Sequence, residues 1–347
     1  MFLHEDKNAF EYLLTNVSAA TGIDEGILEK DYYVVLFLEE LSQKQKNGLP
    51  AYFKGGTALY KRLKNAIRFS EDIDLSVDTR GCSGSQNKKR LELATKKYSV
   101  LTRNLQEGES YRSTVTSYYD YSPAEEFDAD DSLQRFGKVK IEATSFTISE
   151  PVTSMEITPL IYDLSTEAER RILEDQYEVS PFMIQVISLE RIFIDKLFAA
   201  EAYVRKSSEG DRAFEASKHI FDLSIMMDMP EIKKFLKDET AMKHLLDIRM
   251  EEETGRLDGI PGVKPSEFII FSDAARNEDV KRAYSQMQRV YVFDRNNRIS
   301  FEKAMGNLLK IQKELERNDA WKEYRPSLLK RLEAAQKIAA DTFATAT

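Results

Sequence analysis

The chain has 347 residues, with 50 Lys and Arg against 59 Asp and Glu, three His, one Cys and one Trp. A formal charge of −9 excludes a protein that is basic throughout and coats nucleic acid, and leaves a local basic groove open. A hydrophobic fraction of 42% excludes a largely disordered chain, and Cys82 alone excludes an intramolecular disulfide or a Cys-rich zinc site.

The start, Met1-Phe2-Leu3-His4-Glu5-Asp6, turns acidic at once, unlike a secretory signal. The longest apolar run, Tyr32 to Leu38, is well short of the ~20 residues of a membrane helix. The expected setting is therefore cytoplasmic, with no membrane partner.

Taken in chain order, residues 8–46 predict helices. Phe10, Leu13, Leu14 and Val17 recur at helical spacing, Gly22 breaks the run, and a second helix spans Ile27 to Gln45. Asn47-Gly48-Leu49-Pro50 is a turn. Ala51 to Lys54 reads as a strand, Gly55-Gly56-Thr57 opens a helix through Ala66, and Asp72 to Val77 reads as another strand. Lys88 to Leu105 reads as a basic helix, and Tyr111 to Tyr121 as strand. Lys138 to Ile148 and Met155 to Tyr162 alternate as strands do. From Pro181 the pattern predicts long helices over 187–206, 212–228, 230–238, 239–251, 276–292 and 299–345. The expectation is an α+β domain at 1–170 followed by a mostly helical domain at 171–347.

Charge is uneven along this map. Lys54 to Arg103 holds twelve Lys/Arg and five Asp/Glu, whereas residues 104–134 hold one basic and eight acidic residues. The basic stretch is either a solvated face or the lip of a groove for polyanions.

Lys54-Gly55-Gly56-Thr57, followed by Arg68-Phe69-Ser70-Glu71-Asp72-Ile73-Asp74-Leu75, carries the chemistry. Two glycines between strand and helix let backbone approach a ligand closely, and the free amides of a helix start favour phosphate. Thr57 can add a hydroxyl donor. Asp72 and Asp74 fall on one face of a strand, ~7 Å apart. Such carboxylates repel each other unless cations bridge them, and oxygen-only ligands suit Mg²⁺, often as a pair of ions. A third carboxylate should come from a neighbouring strand: Glu142 in Val139-Lys140-Ile141-Glu142-Ala143, or Glu156 in Met155-Glu156-Ile157. Arg68 can clamp a phosphate, and Ser70 sits two residues before Asp72.

This combination resembles the nucleotidyltransferase fold of the DNA polymerase beta superfamily, a mixed sheet flanked by helices. In particular it resembles the AbiEii/AbiGii toxin nucleotidyltransferases of type IV toxin–antitoxin systems. Glu29-Lys30-Asp31-Tyr32-Tyr33-Val34 matches a segment preceding the core in that family, and Glu190 with Lys196 and Lys218-His219-Ile220-Phe221-Asp222-Leu223 continue the match. The resemblance covers roughly residues 25–230.

The resemblance implies a metal-dependent nucleotidyltransferase, the toxin of an abortive-infection system, that transfers NMP from an NTP to an RNA acceptor such as a tRNA 3′ end. A cognate antitoxin would be encoded nearby. In this reading Lys54, Gly55, Gly56, Thr57, Arg68, Ser70 and Lys196 bind nucleotide. Asp72, Asp74 and Glu142 hold two Mg²⁺, with Mn²⁺ as the alternative ion. Lys196 neutralises the leaving phosphates and Asp222 faces the site or holds Lys196. Asp195 falls on the opposite, exposed side of its helix and takes no role, and His219 reads as a structural histidine. The other readings are transfer to a small molecule or protein, a kinase-like γ-phosphoryl transfer, and a non-catalytic partner-binding module on the same fold.

Overall fold

The structure is a computed structural model that describes residues 1–64, 67–111, 113–124, 136–255, 265–292 and 294–324. Contacts divide it into two units. The first comprises Met1–Ser145, Ser149–Ser188 and Tyr291–Arg298. The second holds Phe146–Ile148 with the described parts of Leu189–Val290 and of the chain from Ile299 onward.

Local chemistry sets the first helices. Asp6 caps α1 (Lys7–Thr21) through the Ala9 amide, and Gly22 ends it at φ +73°. Asp24 caps α2 (Glu25–Lys46) through the Gly26 amide. The chain then runs through β1 (Ala51–Lys54), α3 (Gly55–Leu63), β2 (Ile73–Val77), α4 (Gly84–Thr95), β3 (Thr102–Ser110), β4 (Thr114–Asp120), β5 (Lys138–Thr144), β6 (Val152–Ile157), α5 (Leu160–Asp163), α6 (Glu167–Tyr177) and β7 (Phe182–Ile187).

The described strands form one mixed sheet in the order β3-β4-β5-β2-β1-β7-β6. β2 pairs antiparallel with β1 and parallel with β5, so β2 is flanked on both sides. Ile73, Leu75 and Val77 enter the core, while Asp74 between them is half-buried on the other face.

The expected α+β class holds, and several boundaries move. The basic helix expected over 88–105 stops at Thr95, and Thr102–Ser110 become β3. That edge strand is largely exposed, so no apolar alternation marks it. The strand expected to run to Tyr162 ends at Ile157, ahead of Pro159, which caps α5. Helical structure expected from 187 is preceded by β7, which pairs with β1 and β6 and carries the first unit through Ser188 rather than 170.

α2 ties this unit together through charged side chains that a helix would normally leave in water. Glu29 accepts from the Ala124 amide at 3.0 Å, and Lys30 donates to the Lys138 carbonyl and lies 3.7 Å from Glu71. Asp31 accepts from the Leu160 amide at 2.6 Å and pairs with buried Lys61 at 2.5 Å. The segment that resembled the family motif is thus scaffolding for the loop before Asp72 and for the start of β5.

The second unit consists of α7 (Leu189–Arg205), α8 (Arg212–Met226), α9 (Pro230–Phe235), α10 (Glu239–Gly255), α11 (Glu278–Tyr291, whose last residue belongs to the first unit), α12 (Phe301–Leu315) and α13 (Asp319–Glu323), with short 3₁₀ turns. The helix expected over 299–345 is therefore broken at Asn318, which caps α13; its remainder from 325 lies outside the described residues. Among the described residues no helix is long and apolar enough to cross a membrane.

Arg191, 1% exposed, donates to Glu252 at 2.6 Å and to Asp195 at 2.9 Å, and Glu252 also accepts from the Ile148 amide. Asp195 is therefore not the idle exposed carboxylate the helical wheel predicts: it is half-buried and holds a buried cation. Removing one partner of a buried ion pair strands the other charge. Arg191→Met is expected to lower the unfolding free energy by about 3–5 kcal/mol in urea titration. Asp195→Ala should cost less, because Glu252 still neutralises the guanidinium.

Candidate active site

The site begins where β1 ends. The chain must turn from strand into α3 within one residue, and Gly55 does so at φ +84°, a conformation L side chains rarely adopt. A Cβ there would also run into the Asp74 carboxylate. At Gly56 a Cβ would stand 2.7 Å from Ser70 Oγ and 3.0 Å from Arg68 Nη2. Both glycines thus bring backbone against polar side chains that a methyl group would displace.

Strand register supplies the carboxylates. Asp74 lies opposite Lys54 of β1 on one side and opposite Glu142 of β5 on the other. Asp72 is one residue ahead of β2, and its carbonyl accepts from Thr57 Oγ1 at 2.7 Å. Glu156, the alternative third carboxylate, sits on β6 at the far edge of the sheet and pairs with Lys64 at 3.0 Å. Geometry therefore groups Glu142, not Glu156, with Asp74.

Burial pushes the Asp74 carboxyl up to about 6; Asp72 and Glu142 add to the shift, and Lys54 and Lys140 oppose it. Lys140 has no role in the sequence reading. Its Nζ lies 3.2 Å from Asp72 Oδ2 and 3.6 Å from Glu142 Oε2. Burial pulls its ammonium down, but Asp72, Glu142 and Asp74 together outweigh that, and it stays firmly charged. Its signal was present in the sequence: it stands two residues before Glu142 on an alternating strand, hence on the same face.

The expected phosphate ligands are reached unevenly. Thr57 has one hydroxyl proton and gives it to the Asp72 carbonyl, so its observed role is to fix Asp72 rather than to donate to a ligand. Ser70 Oγ lies 3.0 Å from Thr57 Oγ1, within the same chain of hydroxyls. Arg68 is buried, with its guanidinium 5.1 Å from the Tyr60 ring and 5.9 Å from that of Tyr291, and donates to the Phe69 carbonyl. Lys54 donates to Thr144 Oγ1 at 2.9 Å. A cavity of about 30 Å³ adjoins this group and is lined by Thr57, Arg68, Ser70, Lys61 and Lys64 among others.

In the second unit Lys196 and Asp222 form a buried pair, 2.7 Å apart, between α7 and α8. His219 stacks on Tyr203 with ring centroids 5.5 Å apart.

Among the described residues no three His, Cys, Asp or Glu side chains are gathered tightly enough to cage a metal ion. Asp72 is drawn to Lys140 instead. The donor chemistry nevertheless suits a hard cation: three carboxylates supply oxygen only, and burial, with repulsion from Asp72 and Glu142 added to it, already raises Asp74.

Residues 36–307 match the family described as nucleotidyl transferase AbiEii toxin of type IV toxin–antitoxin systems. The chain belongs to the AbiEii family. An AbiEii protein is a toxin nucleotidyltransferase, so NTP is a substrate and an antitoxin is a partner. Nucleotidyltransferases generally use divalent metal ions. In fold, this AbiEii chain is similar to MenT4, a nucleotidyltransferase toxin from Mycobacterium tuberculosis H37Rv, at a TM-score of 0.53 and 13% identity over 94% of this chain and 98% of that one. No curated protein matches it in sequence.

A carboxyl raised on folding costs stability when ionised, a cost absent when it is protonated in both states. Asp74→Asn should therefore raise the melting temperature at about pH 8 in chelator, with a gain that shrinks toward about pH 5 as wild-type Asp74 takes up its proton. A gain independent of pH would count against the raised carboxyl.

Proposed function

We propose that this AbiEii toxin transfers a nucleoside monophosphate from an NTP to the end of an RNA, a tRNA 3′ end being the acceptor its resemblance favours. The observation that carries this reading is the Gly55–Gly56 backbone pressed against Asp74, with Glu142 in register beside it.

The first-turn amides of α3 lack intrahelical acceptors and would receive the triphosphate. Gly55 and Gly56 keep that approach clear of side chains. Asp72, Asp74 and Glu142 would hold two Mg²⁺, with Mn²⁺ as the alternative. When bound, these ions would lower the charge on the phosphates and favour ionisation of the acceptor hydroxyl. The acceptor hydroxyl releases its proton to solvent, its oxygen forms a bond to the α-phosphorus, the bond from that phosphorus to the β-phosphate oxygen breaks, and pyrophosphate leaves. Thr57 fixes the main chain at Asp72. Arg68 and Ser70 lie under Gly56, and Lys54 beside Asp74 would add positive charge to the cradle. Lys196, held by Asp222, is assigned to the phosphates on the family resemblance alone.

Much of the basic stretch has other duties. Lys61 pairs with Asp31, Lys64 with Glu156, Arg80 with Asp78 and Glu150, and Lys96 with Glu92. Exposed Lys88 and Lys89 on α4 and exposed Lys97 just beyond it are the cations best suited to an RNA backbone.

The test is incubation with total RNA and each NTP labelled at the α or the γ phosphate. Label should reach RNA from an α-labelled NTP only, and Asp72→Ala or Asp74→Ala should lower it by about 100-fold or more. The same variants should relieve growth arrest on expression. Transfer from the γ position alone, or toxicity that persists in both variants, would overturn the reading.

A further inference from the structure

Every carboxylate of the proposed cluster has a cation within the fold. Asp74 faces Lys54 across the β1–β2 ladder, and Lys54 is itself held by Thr144. Lys140 serves the other two at once, its Nζ lying 3.2 Å from Asp72 and 3.6 Å from Glu142. β5 fixes it there: Lys140 and Glu142 are two residues apart and so share a face, while Val139 and Ile141 are buried on the other. Lys140 is only 28% exposed at its side chain, so it does not sweep through solvent as a surface lysine would.

A lysine ammonium is a compact point charge that binds the same oxygens a divalent ion needs. Bridging two flanking carboxylates, it lowers their repulsion and also repels a second cation brought among them. We propose that Lys140 is a resident counter-cation of the carboxylate cluster: without nucleotide it offsets one of the two negative charges of Asp72 and Glu142 and holds divalent-ion affinity down, so that tight metal capture awaits the negative charge of the triphosphate. The inference rests on the proposed nucleotidyl-transfer site. It adds that metal and NTP enter together, because the site alone carries too little net negative charge. Lys140 is a positioning and charge-setting residue in this account, since it touches carboxylates and not substrate.

The test uses the full chain with Mn²⁺ alone, following unbound Mn²⁺ by its paramagnetic resonance signal near neutral pH. Lys140→Met should bind Mn²⁺ about tenfold more tightly than wild type or better, whereas Lys140→Arg, which keeps the charge, should stay close to wild type. A purely structural lysine would alter the melting temperature of Lys140→Met but not its preference for the ion. Affinity in Lys140→Met equal to or weaker than wild type overturns the proposal. Absence of Mn²⁺ binding by every variant overturns it together with the metal-dependent reading, so the two failures are distinguishable. If Lys140→Met folds only when Mn²⁺ is added, that dependence supports the proposal. If it folds in neither condition, Lys140→Gln replaces it, with the same expected tightening and the same overturning result.

Discussion

The structure turns on one close approach: the backbone at Gly55 lies against the Asp74 carboxylate, with no space for a side chain between them. That approach requires the sharp strand-to-helix turn at positive φ, which places the start of α3 over the start of β2. It also half-buries Asp74 beside Glu142, which is why this carboxyl is raised and why the cluster needs cations. The proposed phosphate cradle and the carboxylate cluster are thus two consequences of one backbone contact. Separating them by even a methyl group would disturb both.

Around that contact the protein invests unusually in buried charge. Glu29, Lys30 and Asp31 point from consecutive positions of α2 into three different segments, namely the Ala124 amide, the start of β5 and the pair formed by Lys61 and Leu160. Lys30 approaches Glu71, the residue just before Asp72, and also donates to the first carbonyl of β5. It therefore links the two strands whose relative register puts Asp74 beside Glu142. In the proposed reaction, exact alignment of these carboxylates matters because positioning and electrostatics supply most of the rate in phosphoryl-type transfer. In the second unit Arg191 with Glu252 and Lys196 with Asp222 follow the same pattern of buried, satisfied pairs.

What was legible in the sequence had a local cause. The Gly-Gly turn, the alternation around Asp74 and the helical stripes each follow from neighbours a few residues away. β3 was illegible because an exposed edge strand carries no apolar alternation, and β7 because its run merges into the helix beginning at Leu189. The choice between Glu142 and Glu156 could not be made locally, since both sit between apolar residues; only the strand order separates them. Thr57 looked like a phosphate donor until Asp72 was folded back beneath it, and Asp195 looked idle until Arg191 turned inward. Lys140 was within reach of sequence reasoning, being on the carboxylate face by simple alternation, but its meaning needed Asp72 from the loop just before β2.

The central claim is that the Gly55–Gly56 turn and the Asp72, Asp74 and Glu142 cluster form one site for nucleotide and metal. The most direct measurement is anomalous diffraction from crystals grown with Mn²⁺ and a non-hydrolysable NTP analogue. The account predicts an anomalous peak bounded by Asp74 and Glu142, with the triphosphate lying over the Gly55 and Gly56 amides. A nucleotide bound elsewhere, or a peak remote from these carboxylates, would contradict it.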